Sequence, residues 1–287
     1  MDDETGRNLE AEILAASQPL ATPGIGPSRV LTPLAVQTLA RSSGCRRWQV
    51  EALALRCGVR PLAYLRNLAG FGEEGQIRLL HSRIVVAGRG PVLARTAELL
   101  AGNGVGRIAV RVPLGRNEEA GAARKAGEQL LDMVQRRNPS SETDVEVLSL
   151  REGDPRTALG ESHAVVASLE SAQEEQLLQF TCRLLQVPLV LGAAAAQAGQ
   201  ALVVFPGDPG VALVYRPEHP HLEKERRGSD VDDRAALMVG NWMAEQTTCL
   251  LLDQGELIQG RLLYADLEAG EMAEYPLARP PAPGGDE

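Results

Sequence analysis

The most constraining feature of the sequence is a pair of apolar runs separated by a glycine turn and a helical pattern. The first run, residues 83–87, is rich in β-branched side chains and ends on Gly88 and Gly90. Apolar residues at helical spacing follow from 93 to 100, and the second run covers residues 107–112. Parallel strands need a crossover connection, so this order predicts a β-α-β unit in a parallel sheet. The first turn of such a unit is the usual place for a nucleotide.

The rest of the chain continues to alternate between strand and helix patterns. Three apolar runs predict strands, at residues 144–150, 164–167 and 188–191. Two amphipathic stretches predict helices, at residues 117–137 and 172–186. An apolar helix at residues 232–252 and a hairpin at residues 262–275 complete the pattern. Such alternation places helices on both faces of a sheet. The sequence therefore predicts an α/β protein with a Rossmann-like, doubly wound and mostly parallel sheet.

Breaks in this pattern divide the chain into four segments. Residues 1–31 hold one short helical pattern and a stretch rich in proline and glycine, which predicts a flexible, loosely docked segment. Residues 32–62 predict a small helical module with a helix-turn-helix outline. Residues 63–278 contain the α/β domain. Residues 279–287, again rich in proline and glycine, predict a disordered tail.

The predicted helical module is basic within an acidic chain. Residues 33–66 include six arginines and one glutamate, whereas the whole chain carries a net charge of -9. The arginines either contact DNA from the helix pair or form the solvated face of helices that pack on the domain. The second interpretation is favoured, because the module lacks a second basic arm and an acidic surface repels nucleic acid and anionic membranes.

Composition indicates a cytoplasmic protein without a structural zinc ion. The 287 residues contain no secretory signal and no apolar stretch long enough to span a membrane. The four cysteines are scattered, with no Cys-x-x-Cys pair, which is typical of a reducing compartment and unlike a zinc site. His219 and His221 form an H-x-H pair, but without a third ligand at helical spacing a solvated loop is the favoured interpretation.

Short motifs occur in one order along the chain. Tyr64-Leu65-Arg66-Asn67 and GEEGQIRL at residues 72–79 precede the glycine turn, while VPLVLG at residues 187–192 and GQALVVF at residues 199–205 follow it. In this order they resemble the motifs of the ThiF/MoeB/HesA family of adenylyltransferases, relatives of the enzymes that activate ubiquitin-like proteins. The resemblance extends over residues 64–277, and it implies the Rossmann-like fold of that family.

The resemblance also implies ATP-dependent adenylation of the carboxy-terminal glycine of a small sulfur-carrier or ubiquitin-like protein. Gly88 and Gly90 match the cofactor-binding turn of the family, but Pro91 and Leu93 stand where the family has glycine. Proline has no N–H to donate to a phosphate, and the Leu93 side chain is expected to hold the helix start away from the strand. Val112 replaces the acid that would bind the ribose hydroxyls. We therefore expect a degraded nucleotide site that binds ATP and Mg²⁺ weakly at best.

Other family positions are matched less closely. Glu170 aligns with the metal-binding Asp of the family, but its longer side chain reaches a different point. Lys125 matches the phosphate-binding lysine, although a solvated helix face is the more frequent explanation of such a lysine. No cysteine lies between residues 205 and 236, where the family would have zinc ligands and an acceptor thiol, so no zinc is expected. Cys182 and Cys249 lie on apolar helices and are interpreted as core residues.

One family residue is retained, Arg66. The resemblance gives it the role of an arginine finger, which reaches across a dimer interface to the ATP of the partner. The alternative is a surface ion pair with Glu73 or Glu74.

These expectations give one main hypothesis and two alternatives. In the main hypothesis the chain is a pseudoenzyme that supplies Arg66 in trans, in a homodimer or in a heterodimer with an active ThiF/MoeB-like homologue. In the first alternative it is a weakly competent adenylyltransferase that uses its own Glu170 and Lys125. In the second it is a DNA-binding regulator that acts through the helix pair.

Overall fold

The structure is a computed structural model and describes residues 3–22, 26–114, 119–148, 159–208, 210 and 231–277. Its strands are β1 (Gln18–Thr22), β2 (Gly26–Leu31), β3 (Val59–Pro61), β4 (Arg83–Gly88), β5 (Arg107–Pro113), β6 (Glu142–Leu148), β7 (Ala164–Ser168), β8 (Leu189–Ala195), β9 (Ala198–Val204), β10 (Arg261–Asp266) and β11 (Glu271–Pro276). Its helices are α1 (Asp3–Ala16), α2 (Pro33–Ser43), α3 (Arg47–Arg56), α4 (Leu68–His81), α5 (Pro91–Asn103), α6 (Ala120–Arg137), α7 (Ala172–Leu185) and α8 (Asp233–Leu252).

One sheet of eight strands forms the centre of the molecule, in the order β11-β10-β9-β8-β7-β4-β5-β6. The strands from β4 to β8 are parallel, and β9, β10 and β11 add to one edge as antiparallel strands. Val86 on β4 lies between Val110 on β5 and Val166 on β7. The predicted α/β class and the doubly wound, mostly parallel sheet are therefore confirmed.

Alternate residues of the central strand face two separate cores. Ile84 and Val86 lie in the larger core, which α5, α6 and α8 cover, whereas Val85 and Ala87 lie in the smaller core under α7. All four side chains are fully buried. A parallel strand covered on both faces must be apolar throughout, which explains why the sequence around residue 85 shows a continuous apolar run and no alternation.

The amino-terminal segment has a core of its own. Leu9 and Ile13 of α1 are 2% and 0% exposed, and they pack with α2 and α3. β1 pairs antiparallel with β2, which pairs parallel with β3. The expectation that residues 1–31 are flexible and loosely docked is therefore wrong for the part of them that the structure describes. A single periodic stretch was too short to reveal this packing, because its partners lie in α2 and α3.

The helix pair forms as predicted, but α3 is buried between other elements. Thr32 accepts a hydrogen bond from the N–H of Ala35 and caps α2. Within α3 the side chains of Trp48 and of residues 50–55 are buried, and they face α1 and α2 on one side and α4 on the other. A recognition helix needs a free face to enter a DNA groove. The packing of α3 therefore speaks against the DNA-binding alternative.

Candidate functional site

The candidate site lies where the strand order reverses, between β4 and its neighbour β7. The chain runs outward from β4 through β5 and β6, and then returns to the other side of β4 with β7 and β8. Ligands of doubly wound sheets bind outside the carboxyl ends of the strands at such a switch point. Here the carboxyl ends are Gly88, the last residue of β4, and Ser168, the last residue of β7, and these two residues are paired in the sheet.

Gly88 is required by the close approach of two strands. Its φ is 120°, and a Cβ placed on it would lie 2.1 Å from the carbonyl oxygen of Ser168. Gly90 has φ of 94° but no atom within 4 Å of the corresponding point, so only its backbone angle favours glycine. Both glycines therefore shape the turn, and the first packs directly against the end of β7.

The turn leads directly into the amino terminus of α5, where an anion would find free N–H groups and the positive end of the helix dipole. Pro91 occupies the first helical position, so one of these donors is missing. Leu93 is fully buried in the larger core. Val112 is also fully buried, so it offers no polar contact at the end of β5.

A cleft of about 540 Å³ opens beside this turn. It is lined by Arg89, Gly90, Pro91, Val92, Ser168, Leu169, Glu170, Ala193, Ala194 and Val231. A smaller recess shares Arg89 and Glu170 and adds Gly88, Pro113 and Glu174. The predicted residues Gly88, Gly90 and Glu170 are thus brought together.

Arg89 and Glu170 form an ion pair across the mouth of the cleft. Nε of Arg89 lies 2.8 Å from Oε1 of Glu170, and the two side chains are 26% and 69% exposed. The carboxylate that was expected to bind a metal ion is therefore paired with a cation of the same chain. Arg89 was not predicted as a site residue from the sequence. The only available signal was an arginine between two glycines, and its partner stands 81 residues away.

Lys125 does not join this group. It is exposed on α6 and is not among the residues that line the cleft or the recess. The segment before α6, residues 115–118, lies outside the described residues. The structure therefore adds no support for a phosphate-binding role of Lys125.

Arg66 lies at the opposite end of α5 from the glycine turn. It is exposed, and it has no hydrogen bond or ion pair with the part of the chain that the structure describes. Its neighbour Asn67 donates from Nδ2 to the carbonyl oxygen of Gly102 at 3.1 Å. From Gly90 to Gly102 a helix rises about 18 Å, which is farther than an arginine side chain extends. The expected alternative pair with Glu73 does not form, because Arg60 holds Glu73 at 2.8 Å.

The thiols lie outside the cleft. Burial raises the pKa of Cys182 to about 12, and burial followed by the charge of Glu245 raises the pKa of Cys249 to about 11. No group of three or more His, Cys, Asp or Glu side chains that could hold a metal ion occurs among the described residues. His219 and His221 lie outside that part of the chain, and so does the tail at 279–287. None of the described helices is long and apolar enough to cross a membrane.

A doubly wound sheet with a glycine turn, a helix amino terminus and a cleft at its switch point defines the Rossmann-like class of α/β proteins. No family model matches the chain. The chain is 30% identical over 212 residues to the SAMP-activating enzyme E1 of Haloferax volcanii, and the alignment covers 68% of this chain and 76% of that relative. The chain belongs to the ThiF/MoeB family of adenylyltransferases.

Two further comparisons agree with this assignment. The chain is 27% identical over 212 residues to the adenylyltransferase and sulfurtransferase MOCS3 of Aedes aegypti; this covers 69% of the chain but 48% of that relative, so the chain spans about half of its length. The crystal structure of E. coli MccB with ATP has a TM-score of 0.63 and 12% identity, and the likeness covers 98% of this chain and 90% of that one. At that identity the likeness shows the fold alone.

Proposed function

We propose that this chain takes part in the ATP-dependent activation of a small sulfur-carrier or ubiquitin-like protein, as a pseudoenzyme that completes the nucleotide site of a partner. The partner is an active ThiF/MoeB-like homologue that binds ATP itself. The names of two relatives support the first part of the proposal, since one is a SAMP-activating enzyme and the other an adenylyltransferase. The second part is supported by the state of the cleft and by the position of Arg66.

The observation that carries the proposal is the ion pair between Arg89 and Glu170. Adenylation joins a carboxylate oxygen of the carrier to the α-phosphorus of ATP and releases pyrophosphate, so Mg²⁺ and phosphate contacts carry the reaction. Here a guanidinium lies 2.8 Å from the carboxylate that would hold Mg²⁺. Mg²⁺ would have to displace it. Pro91 and Val112 remove two further contacts to ATP.

Arg66 is the residue that the chain can supply in trans. Its guanidinium is exposed, and it lies too far from the glycine turn of its own chain to reach a phosphate there. A cation presented in this way can neutralise charge on a polyphosphate that another chain binds.

The alternative of a weakly competent enzyme is favoured by one observation, the open cleft. About 540 Å³ remains at the switch point, and the Glu170 side chain is 69% exposed. If Arg89 turned from Glu170 to a phosphate, both Mg²⁺ and ATP would find a charged contact. Arg89 would then replace the donor that Pro91 lacks.

ATP–pyrophosphate exchange by the purified chain distinguishes the pseudoenzyme from the weakly competent enzyme. With a carrier protein present, the pseudoenzyme proposal expects no exchange above background from the chain alone. Exchange that depends on the carrier and is lost in Glu170→Ala would establish the alternative instead.

The trans role has a separate test in the mixture of this chain with an active ThiF/MoeB-like homologue. Removing one charged donor from a transition state typically costs about 10²-fold in rate, so Arg66→Ala should lower the exchange rate of the mixture by roughly that factor. Arg56→Ala is the matched control, because Arg56 is likewise an exposed arginine and lies on α3 of the neighbouring helical module. Equal rates for the two variants would contradict the trans role.

A further inference from the structure

A buried polar cluster joins the helical module to the α/β domain. Glu51 on α3 is 2% exposed and Tyr64 is 1% exposed. The hydroxyl of Tyr64 donates to Oε2 of Glu51 at 3.0 Å, and the hydroxyl of Ser140 donates to Oε1 at 2.8 Å. Nδ2 of Asn138 donates to the Tyr64 hydroxyl at 3.0 Å and to the carbonyl oxygen of Ala101 at 2.8 Å. Three parts of the chain thus meet at one carboxyl group.

The carboxyl group of Glu51 is poorly placed to carry a charge. Among the described ion pairs none includes Glu51. The charge of Arg47 acts on it, but Nη1 of Arg47 donates to the carbonyl oxygen of Pro139 at 3.2 Å. Burial raises the pKa of Glu51 from 4.5 to about 7, and the hydrogen bonds from Ser140 and Tyr64 and the charge of Arg47 offset only part of this rise. Two hydroxyl donors do not replace the hydration of a carboxylate.

We propose that Glu51 is a proton-operated latch between the helical module and the α/β domain. While its carboxyl group is neutral, it holds α3 against Tyr64 and against the turn of Asn138 and Ser140. When the group ionises, opening of this junction returns the charge to water, so the junction loosens. Tyr64 lies two residues before Arg66; resting on the proposed function, the same latch would determine how firmly Arg66 is presented.

Several charged or titratable groups surround the junction. Arg47 faces Glu51 from α3 itself, Tyr64 faces it from the segment before α4, and the turn after α6 contributes the neutral Asn138 and Ser140. One layer further on, Arg107 and His81 pack on the ring of Trp48, at 5.5 Å and 5.3 Å, and Arg46 pairs with Glu142 at 3.4 Å. Because His81 is a second ionisable group near the junction, the test must separate its effect from that of Glu51.

The direction in which pH changes the opening of the junction follows from the pKa of Glu51 in the closed junction and its pKa in water. Glu51 has a higher pKa in the closed junction than in water, so its contribution to closure is complete below pH 4.5 and is lost as the pH rises to about 7. Between pH 5 and pH 8 the opening equilibrium should therefore rise on the order of 50-fold. Above pH 8 no further change is expected from this group.

The test is amide hydrogen exchange of residues 47–67 in the full chain, with wild type and Glu51→Gln compared at pH 5 and at pH 8. Taking the ratio of the two proteins at each pH cancels the intrinsic exchange rates and any contribution that both proteins share, including that of His81. The latch predicts that wild type opens more readily relative to the variant at pH 8 than at pH 5, on the order of 50-fold. An unchanged ratio would overturn it.

Two more variants keep the result interpretable. Tyr64→Phe removes a donor to the ionised carboxylate, so the pH midpoint of opening should move upward; a midpoint that stays in place contradicts the latch even if Glu51→Gln folds poorly. Glu10→Gln changes an exposed glutamate of α1 and should behave like wild type. Since hydrogen exchange is measured without ATP, failure of the latch and failure of the trans role of Arg66 can be told apart.

Discussion

Nε of Arg89 lies 2.8 Å from Oε1 of Glu170. This ion pair joins the glycine turn after β4 to the segment that follows β7. The contact spans the switch point of the sheet, where a ligand of this fold class would sit. Within the cleft, the positive charge of Arg89 thus offsets the negative charge of Glu170.

Breaking the pair should release Glu170 for a metal ion. Because both side chains are partly solvated, Arg89→Ala should change the free energy of unfolding by no more than about 1 kcal/mol. The affinity for Mg²⁺, measured by calorimetry with the metal alone, should rise by up to about fivefold, the equivalent of the same energy. Arg95→Ala removes an ion pair of similar exposure, with Glu98 on α5, and should leave the Mg²⁺ affinity as it is. A lower affinity in Arg89→Ala would contradict this account.

The two glycines of the turn should respond differently to alanine. In Gly88→Ala the new Cβ would lie 2.1 Å from a main-chain oxygen of β7, so the strands must separate, and a loss of about 3 kcal/mol or more in unfolding free energy is expected. In Gly90→Ala nothing lies within 4 Å of the new Cβ, and only the backbone costs energy: φ of 94° with ψ of 176° is a region almost restricted to glycine, and the expected loss is about 1–3 kcal/mol. Denaturant unfolding of both variants measures the difference, and equal losses would argue against the close approach of the strands.

Restoring a donor at the start of α5 should strengthen nucleotide binding. Pro91→Ala returns an N–H to the first helical position, and one hydrogen bond to a phosphate stabilises the complex by about 1 kcal/mol, or roughly fivefold in Kd for Mg²⁺-ATP. Pro113→Ala is the control, since this proline lines the recess but not the helix start. Calorimetric titration that shows the same change in both variants would exclude a phosphate at the α5 terminus.

Cys182 should resist alkylation in the folded protein. Its side chain is 2% exposed, and burial raises its pKa to about 12, so almost no thiolate exists at pH 8. Intact-mass analysis after iodoacetamide treatment should therefore find Cys182 unmodified in native protein and fully modified after guanidinium unfolding. Modification at equal rates in both conditions would show that α7 does not pack as described.

Much of the fold was predictable because its signals are local. The continuous apolar run before Gly88 indicates a strand buried on both faces, and the alternation of strands with helices of sufficient length leaves few topologies other than a parallel, doubly wound sheet. Pro91 likewise acts through its own backbone nitrogen, which has no hydrogen to donate. Such features depend on residues close in sequence, so periodicity and residue type were enough to place them.

Burial of the amino-terminal segment was not predictable in the same way. Leu9 and Ile13 give too short a pattern to indicate a packed helix, and only contacts with α2 and α3 bury them. For α3, packing on the domain was the favoured interpretation of its arginines and is confirmed; the structure adds that the helix is covered on two sides.

By itself, then, the sequence determined the sheet, the glycine turn and the missing N–H at Pro91. Only the tertiary structure decided that Arg89 meets Glu170 and that Glu51 meets Tyr64, Asn138 and Ser140 in a buried cluster. The physical reason is that propensity and periodicity act over a few residues, whereas charge pairing and desolvation depend on which distant segments the order of the strands brings into contact.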